Sequence, residues 1–339
     1  MKAAVCTGIG SIEIQDIPRP VPGPGEVLVR IKSVGVCGSD VDGYRGKHPM
    51  IGFPIVLGHE CSGTIAEVGP GVAASRLGEA VTVEPFFICG TCPFCLAGTY
   101  NFCSDLKIIG HQVQGAFAEY MPIPAEFAHL KPDTVSFDEA AIMEPCSGSL
   151  HAVQRCRIQS GDVVVIIGCG TMGSFSTQHC ANLSAEVIVI EPVAFKREAA
   201  LELGASHTLD PETDDLVAAV SRITNGKMAD VVIEAVGERE TLVETVSLVK
   251  NGGTVMLTGW TGNDTDPFDL TNTTFKELTV LGTLGFCRDF PTSMKLLAAG
   301  KVDIERIITH HFDLDHVQEA IEQLEAGSDG VWKSVVRVS

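Results

Sequence analysis

The stretch VVVIIGCGTMG, residues 163–173, contains the strongest indication of the fold. A short apolar strand rich in β-branched residues runs directly into a glycine-rich turn. The glycines of this turn are Gly168, Gly170 and Gly173. Glycines at this spacing allow a tight turn, close approach of the backbone to a pyrophosphate, and close packing of a helix on the strand. Thr171 and Met172 would begin that helix with free N–H groups that bind an anion. The stretch therefore predicts a dinucleotide-binding site.

An acidic residue ends the next predicted strand, VIVIE, at Glu191. Its carboxylate would accept hydrogen bonds from the adenosine ribose hydroxyls, and its charge would repel a 2′-phosphate. This pattern favours NAD over NADP. Lys196 and Arg197 follow soon after, and either side chain could reach a phosphate, which weakens the preference. The alternative interpretation of Glu191 is a solvated carboxylate at a strand end.

Short apolar strands alternate with amphipathic helical stretches across residues 151–285. VVIEAVG (231–237), GTVMLTG (253–259) and LTVLGT (278–283) are examples of the strands, and KREAALELGA (196–205) is a charged amphipathic helix. Such alternation is typical of βαβ units and a parallel sheet covered by helices on both faces. We therefore predict an α/β domain with a doubly wound parallel sheet over residues 151–285.

The segment 1–150 is strand-like, with clusters of β-forming residues between Gly and Pro turns. Its proline cluster IPRPVPGPGE (17–26) is a loop, because no helix can cross so many prolines. We expect a compact, barrel-like β domain here. The chain ends in the strand-like VVRVS (335–339). We expect 286–339 to complete the first domain, because the parallel sheet is already complete.

Composition limits the function. The chain has 339 residues, which favours two domains, and a formal net charge of −19. Such an acidic balance argues against nucleic acid or an anionic membrane as a partner. No run approaches the ~18 apolar residues of a membrane span, and the N-terminal stretch lacks the apolar segment of a secretory signal. We therefore expect a cytoplasmic protein with reduced thiols.

Four cysteines lie close together in CGTCPFCLAGTYNFC, residues 89–103. They are Cys89, Cys92, Cys95 and Cys103. Four thiolates at such short gaps suit a closed, tetrahedral zinc site that is structural and not catalytic. Disulfides or buried thiols are the alternatives. The regular spacing disfavours buried thiols, and a reducing compartment disfavours disulfides.

A second set of metal-binding side chains lies outside this loop. Cys37 in VGVCGSD, His59 and Glu60 in LGHECSG, and Glu144 in IMEPCSG are not needed by the four-cysteine site. A thiolate, an imidazole and a carboxylate can hold a zinc ion that keeps one position open. Spacing alone does not bring these residues together.

The pattern GHE-x2-G-x5-G-x2-V, which begins at Gly58 and ends at Val72, is similar to the zinc signature of the medium-chain alcohol dehydrogenase family. VCGSD, the cysteine loop, GAFAEY (115–120), the dipeptide at 144–145 and GCGTMG follow in that family's order. The chain most resembles the sorbitol (polyol) dehydrogenase and threonine dehydrogenase branches. The resemblance implies a GroES-like β-barrel catalytic domain and a Rossmann NAD-binding domain.

The resemblance also implies roles for individual residues. Cys37 and His59 correspond to ligands of the catalytic zinc. Glu60 and Glu144 correspond to carboxylates that bind the metal directly, alternately, or through water. All four residues would then belong to one reactive metal site.

A proton path is implied by the same comparison. Asp40 matches the acid that orients the histidine ligand, and Ser39 matches the hydroxyl that begins the proton relay. Many relatives have a histidine five residues after the cysteine, where this chain has Asp42. His48 lies nearby, but not at the matching position. The outer end of the relay is therefore open to Asp42 or to water.

The resemblance implies a zinc-dependent enzyme that transfers hydride between a secondary alcohol, such as a polyol or sugar alcohol, and NAD. A threonine 3-dehydrogenase-like oxidation of an amino alcohol is one alternative. A non-catalytic nucleotide-binding relative is another, for which one zinc ion per chain is expected instead of two. A homodimer or homotetramer is implied by the resemblance alone. For His111 and His151, near-site positions in the family, we expect satisfied structural histidines.

Overall fold

The computed structural model describes residues 1–260, 262, 268–327 and 330–338. Two compact units are present. The first unit comprises Met1–Glu144, Phe290–Gly300 and Ile304–Ser339, and the second unit comprises Pro145–Asp289 and Lys301–Asp303. Among the described residues, no helix combines the length and apolar character that crossing a bilayer requires.

The first part of the first unit is built mainly from strands. They are β1 Lys2–Gly8, β2 Ser11–Asp16, β3 Glu26–Gly35, β4 Ile55–Val56, β5 Glu60–Val68, β6 Ala80–Val83, β7 Phe86–Phe87, β8 Lys107–Ile108, β9 Tyr120–Pro124 and β10 Ala128–Leu130. Its helices are α1 Gly38–Tyr44, α2 Pro93–Ala97 and α3 Phe137–Ala141. Short 3₁₀ turns lie at Ala74–Arg76, Tyr100–Phe102 and Ala125–Phe127. The proline cluster separates β2 from β3 as a loop, as predicted.

The second unit contains a parallel sheet of six strands. The strands are β11 Val163–Ile167, β12 Glu186–Ile190, β13 His207–Leu209, β14 Ala229–Glu234, β15 Val249–Leu257 and β16 Thr279–Gly282. The helix α4 Met143–Arg155 begins in the first unit and continues into the second. The other helices are α5 Thr171–Asn182, α6 Ala194–Glu202, α7 Leu216–Ile223, α8 Arg239–Leu248 and α9 Leu270–Phe275. The strand order β13-β12-β11-β14-β15-β16 reverses direction beside β11. This is the doubly wound order of a Rossmann fold, so the predicted sheet is confirmed.

The C-terminal part of the chain adds further elements. They are α10 Phe290–Ala298, β17 Ile308–Asp313, α11 Val317–Ala326 and β18 Lys333–Arg337, with 3₁₀ turns at Glu305–Ile307 and Leu314–His316. β18 pairs antiparallel with β3, with Val335 opposite Gly35. The last strand therefore returns to the first unit, as the sequence predicts.

The main sheet of the first unit runs in the order β10-β6-β5-β3-β18-β17, and β9 also pairs with β3. β3 occupies the middle, and its Val27, Val29 and Ile31 side chains are buried. Each such side chain contributes about 1.5–3 kcal/mol when it leaves water. Because β5 and β18 flank β3, the first residues of β5 and β18 lie near each other beside Gly35. This juxtaposition brings together side chains that the sequence analysis assigns to a second metal site.

Candidate metal centres and dinucleotide site

The four cysteines predicted as a structural zinc site lie together around α2. Their Sγ atoms all lie within 4.8 Å of one another. The Cys92–Cys95 and Cys89–Cys103 sulfur pairs are 3.5 and 3.6 Å apart, and Cys89–Cys95 is 4.0 Å. Sulfurs bound tetrahedrally at about 2.3 Å from zinc are separated by about 3.8 Å. A disulfide needs about 2.05 Å, so the geometry fits zinc and excludes disulfide pairing in this arrangement.

Backbone N–H groups point at these sulfurs and stabilise thiolates. Cys92 N donates to Cys89 Sγ at 3.3 Å, and Cys95 N donates to Cys92 Sγ at 3.5 Å. The backbone hydrogen bond from Cys95 lowers the pKa of Cys92 to about 6. The pKa of Cys89 is also lowered, chiefly by the backbone hydrogen bond from Thr91. The loop is thus arranged to present anionic sulfurs to a metal ion.

Cys37, His59 and Glu60 form a second group whose ligand atoms lie within 4.8 Å of one another. Cys37 is the residue that caps the N-terminus of α1, just after β3. His59 and Glu60 lie at the start of β5, where Gly35 is the β3 partner of Glu60. The pairing of β3 with β5 therefore brings together residues that are far apart in sequence. A sulfur, an imidazole nitrogen and a carboxylate oxygen are a fitting donor set for zinc.

Asp40 holds the backbone segments that carry Cys37 and His59 in position. It is fully buried, and its carboxylate accepts from Cys37 N at 2.9 Å and from Gly58 N at 3.0 Å. His59 Nδ1 lies 3.8 Å from Asp40 Oδ1. Burial opposes charge on either group, yet the attraction of His59 and the two backbone hydrogen bonds lower the pKa of Asp40. Burial also opposes charge on His59, but the nearby Asp40 and Cys37 raise its pKa. One carboxylate therefore links the backbones that carry both ligands.

Glu60 forms a buried ion pair that sequence reasoning missed. Lys333 Nζ lies 2.7 Å from Glu60 Oε1 and donates to Val36 O at 2.8 Å. Both side chains are almost completely buried, at 2% and 0% exposure. Glu60 Oε2 has no hydrogen-bond partner within the part of the chain that the structure describes. That oxygen is available to a metal ion. The available sequence signal was a lysine in the apolar run VWKSVVRV.

Glu144 lies at the start of α4. Burial, together with the nearby charge of Glu60, raises its pKa to about 7, although the neighbouring His59 acts in the opposite direction. Its carboxylate is not a member of the group formed by Cys37, His59 and Glu60 among the described residues. The two carboxylates are thus unequal, with Glu60 alone inside the ligand group.

Ser39 and Asp42 lie on α1, three positions apart, and therefore share one face of that helix. Ser39 Oγ is shielded from solvent and has no hydrogen-bond partner among the described residues. Asp42 O accepts from Lys47 N at 2.8 Å and His48 N at 3.2 Å, which turns the chain after the helix. Ser39 therefore presents a free hydroxyl near the Cys37 end of the helix.

Three buried histidines form a cluster that consists of His48, His59 and His111. The ring centroids of His48 and His111 are 4.5 Å apart, and those of His59 and His111 are 5.1 Å apart. Burial and the neighbouring rings lower the pKa of His111 to about 3. Neither ring nitrogen of His111 has a hydrogen-bond partner in the described ranges. The expectation of a satisfied structural histidine is therefore wrong for this residue, because burial there came without a polar partner.

His151 differs from His111. Its Nδ1 lies 2.8 Å from a carboxylate oxygen of Asp289, while Nε2 is buried without a hydrogen-bond partner among the described residues. The expectation of a satisfied histidine thus holds for one nitrogen and is wrong for the other.

The dinucleotide motif of the second unit lines a groove of about 560 Å³. Gly170 caps α5, so Thr171 and Met172 are its first two residues. A Cβ on Gly173 would lie 1.9 Å from Gly168 O, so only glycine allows this close approach of helix to turn. Gly168, Gly170, Glu191 and Lys196 all line the groove.

Glu191 is held by the glycine turn itself. Its carboxylate accepts from Cys169 N at 2.7 Å and from Val193 N at 3.0 Å. Arg197 is engaged elsewhere, since its guanidinium donates to Glu191 O at 2.7 Å and pairs with Asp210 at 2.9 Å. Of the two neighbouring cations, Lys196 and Arg197, it is Lys196 that lines the groove. The carboxylate is thus fixed beside the nucleotide turn, whereas Arg197 is used to support it.

Comparisons with known proteins agree with this architecture. Residues 23–133 match the family described as alcohol dehydrogenase GroES-like domain, and residues 171–299 match zinc-binding dehydrogenase. Sorbitol dehydrogenase of Bacillus subtilis (strain 168) is 33% identical over 330 residues, which cover 95% of this chain and 93% of the relative. L-threonine 3-dehydrogenase of Pyrococcus abyssi is 35% identical over 326 residues, covering 94% and 93%.

A solved structure is similarly close. The NADP-bound zinc-binding dehydrogenase target from Sinorhizobium meliloti 1021 has a TM-score of 0.93 and 33% identity, and the match covers 99% of this chain and 98% of that one. Fold and site together define a zinc-type oxidoreductase that acts on CH–OH groups of small molecules. The chain belongs to the medium-chain alcohol dehydrogenase family. The predicted GroES-like and Rossmann domains are therefore confirmed.

Proposed function

We propose that this protein oxidises a secondary alcohol group of a polyol or sugar alcohol with NAD as hydride acceptor. The observation that carries the proposal is the convergence of Cys37, His59 and Glu60, whose ligand atoms lie within 4.8 Å of one another. When bound there, zinc supplies a Lewis acid for the substrate oxygen, and the nicotinamide ring supplies the hydride acceptor. The similarity to sorbitol dehydrogenase supports the polyol class.

The unequal environments of the two glutamates suggest how the metal is held. Lys333 occupies Glu60 Oε1, while Glu60 Oε2 has no described partner. We assign Glu60 Oε2, Cys37 and His59 as direct ligands. Glu144, which lies outside the three-ligand group, acts through water or replaces Glu60 alternately. Cys89, Cys92, Cys95 and Cys103 hold the structural zinc.

The chain's own residues orient the site and carry the proton. Asp40 accepts from the backbones on both sides and lies beside His59, so it fixes the orientation of the imidazole. Ser39 hydrogen-bonds the substrate hydroxyl and passes its proton outward. Asp42, on the same face of α1, or a water molecule receives that proton. Proton release thus follows the helix that begins at the cysteine ligand.

Glu191 supports NAD over NADP. Because two backbone N–H groups hold its carboxylate at the groove, a 2′-phosphate there meets a negative charge that is not free to turn away. Lys196, which lines the same groove, opposes this effect. Replacing Glu191 with alanine should shift the ratio of kcat/KM values toward NADP by about tenfold or more.

One experiment tests this function and its alternatives. Zinc per chain is measured by mass spectrometry, and NADH absorbance is followed with polyols, sugar acids, threonine and simple alcohols, then repeated with NADP. Turnover of polyols with about two zinc ions per chain is expected. Faster turnover of threonine would favour the amino-alcohol enzyme, which the Pyrococcus relative supports. One zinc ion and no turnover would favour a non-catalytic nucleotide-binding relative.

A homodimer or homotetramer is part of the proposal, as is a cytoplasmic location. β16 is one of the two edge strands of the parallel sheet among the described residues, and Val280 on it is 40% exposed. An exposed apolar edge strand is a surface that a second copy can extend. Light scattering should give twice or four times the chain mass, and Val280→Lys should reduce it.

A further inference from the structure

The His48 and His111 side chains are not used by the proposed ligand set or proton path. They are 8% and 7% exposed, and their rings lie 4.5 Å apart. His111 also lies 5.1 Å from the ring of the proposed ligand His59. Two buried imidazoles beside a reactive metal site can bind a ligand that approaches that site.

The ring nitrogens of His111 are unusual for buried polar atoms. Both of its ring nitrogens are buried without a hydrogen-bond partner in the part of the chain that the structure describes. Leaving buried donors and acceptors unpaired is unfavourable, and a ligand that pairs with them gains that difference on binding. His111 is not in the metal-ligand group with Cys37, His59 and Glu60. Its nitrogens therefore lie beside the metal site without belonging to it.

The main chain fixes the position of the segment that carries this ring. A Cβ on Gly110, the preceding residue, would lie 2.9 Å from Gly58 O, so the His111 segment rests directly on the backbone before His59. Gly115 N donates to Val56 O at 2.7 Å, and Ala116 N donates to Gly58 O at 2.8 Å. The distance between His111 and His59 is thus set by backbone packing.

The chemistry of the pair selects hydroxyl groups. Met50 N donates to His48 Nδ1 at 3.3 Å, which places the proton of a neutral His48 on Nε2. A neutral His111 offers one donor and one acceptor. A hydroxyl can either donate or accept, so it can pair with whichever of the two nitrogens faces it, whereas an ionised carboxylate only accepts and can pair only with the nitrogen that carries the proton.

We propose that His111, supported by His48, binds a second hydroxyl on the carbon next to the one oxidised, so that the enzyme selects vicinal diols. This inference rests on the proposed function and narrows its substrate class. A substrate whose reacting oxygen lies at the Cys37–His59 site presents its neighbouring hydroxyl toward the ring next to His59. His111 is thus a specificity residue and His48 a positioning residue.

The test compares 2,3-butanediol with 2-butanol, which differ by one hydroxyl. His111→Leu should lower kcat/KM for the diol by about 10- to 100-fold and change it for the mono-alcohol less than about threefold. His111→Asn, which keeps a donor and an acceptor, should recover part of the loss. His316→Leu, at an exposed histidine with 56% side-chain exposure, is the control and should change neither. Equal losses for both alcohols would overturn the inference.

A binding measurement separates this inference from the proposed function. The diol is titrated calorimetrically into zinc-loaded protein with NADH, which permits no oxidation. Its Kd should rise about 10-fold or more in His111→Leu, and the ¹⁵N signals of His111 should shift on binding to the unaltered protein. Unchanged Kd, or loss of one zinc ion per chain in the variant, would contradict the specificity role. Absence of all turnover would refute the proposed function, while the titration would still decide about His111.

Discussion

The two metal sites of the first unit are built in opposite ways. All four sulfurs of the structural site come from residues 89–103. The reactive site combines Cys37 after β3, His59 and Glu60 at the start of β5, and Lys333 from β18. A closed site that needs only to hold an ion can be encoded in one loop. An open site needs ligand residues from different strands, which only the folded sheet brings together.

Their surroundings differ as well. The structural site is a partly exposed loop in which backbone N–H groups stabilise the sulfurs. The reactive site buries Asp40, Glu60 and Lys333 almost completely. Buried charges depend strongly on their partners, so removing a metal ligand or a buried counter-charge at the reactive site should act more severely than removing one cysteine from the loop.

The largest expected effect follows from Cys37→Ser. Serine is a preferred N-cap residue, so α1 should still form, while the zinc ligand is lost. Turnover should fall by at least about 10⁴-fold, because a Lewis acid contributes several kcal/mol to the transition state. NADH absorbance gives the rate and mass spectrometry the metal. Zinc should fall from about two ions per chain to one, and undiminished turnover would contradict the ligand assignment.

Lys333→Met should destabilise the protein by about 3–5 kcal/mol, because it leaves the Glu60 carboxylate buried without its counter-charge. Urea unfolding at fixed zinc concentration measures the loss. Lys333→Arg keeps the charge and should retain more stability. The double variant Lys333→Met with Glu60→Gln should recover part of the loss, and strict additivity of the two substitutions would argue against a coupled pair.

Cys95→Ser should remove only the structural zinc. Loss of the ion should lower the free energy of unfolding by on the order of 2–4 kcal/mol. Turnover at the reactive site should stay within about tenfold of that of the unaltered protein. Metal analysis and thermal unfolding check both points. Leu96→Ser alters the adjacent residue, which is 75% exposed, and should change neither. A collapse of turnover in Cys95→Ser at permissive temperature would show that the two sites are not independent.

Asp40→Asn should have the smallest effect of the four. It keeps the shape but weakens the acceptor that orients His59 and holds Cys37 N and Gly58 N. A loss of about 10- to 100-fold in catalytic zinc affinity or activity is expected. Competition with a chelator measures the affinity. Asp133→Asn, at an exposed position, is the matched control, and equal behaviour of the two variants would exclude an orienting role.

The sequence predicted those parts of the molecule that local spacing determines. The glycine turn at Gly168, the strands around it and the four-cysteine loop are each contiguous, and all three appear as predicted. The return of β18 to the first unit was also predictable, because the parallel sheet had no need of it. Family resemblance supplied the pairing of Cys37 with His59, since nothing in their spacing requires contact.

Other features depended on three-dimensional packing. Lys333 contacts Glu60 because β18 and β5 both flank β3, and strand order is not readable from a single lysine. His111 reaches His59 because its loop lies on the Gly58 backbone. Glu191 was predicted to face a ribose, but its hydrogen bond to Cys169 N depends on the folded turn.

The Glu60–Lys333 pair also affects how the protein is made. Its two members are separated by 273 residues, and ribosomes add about 5–20 residues per second. Lys333 is therefore synthesised roughly 10 to 60 s after Glu60. Until Lys333 has been synthesised and β18 has joined the sheet, the Glu60 carboxylate lacks the counter-charge that allows its burial.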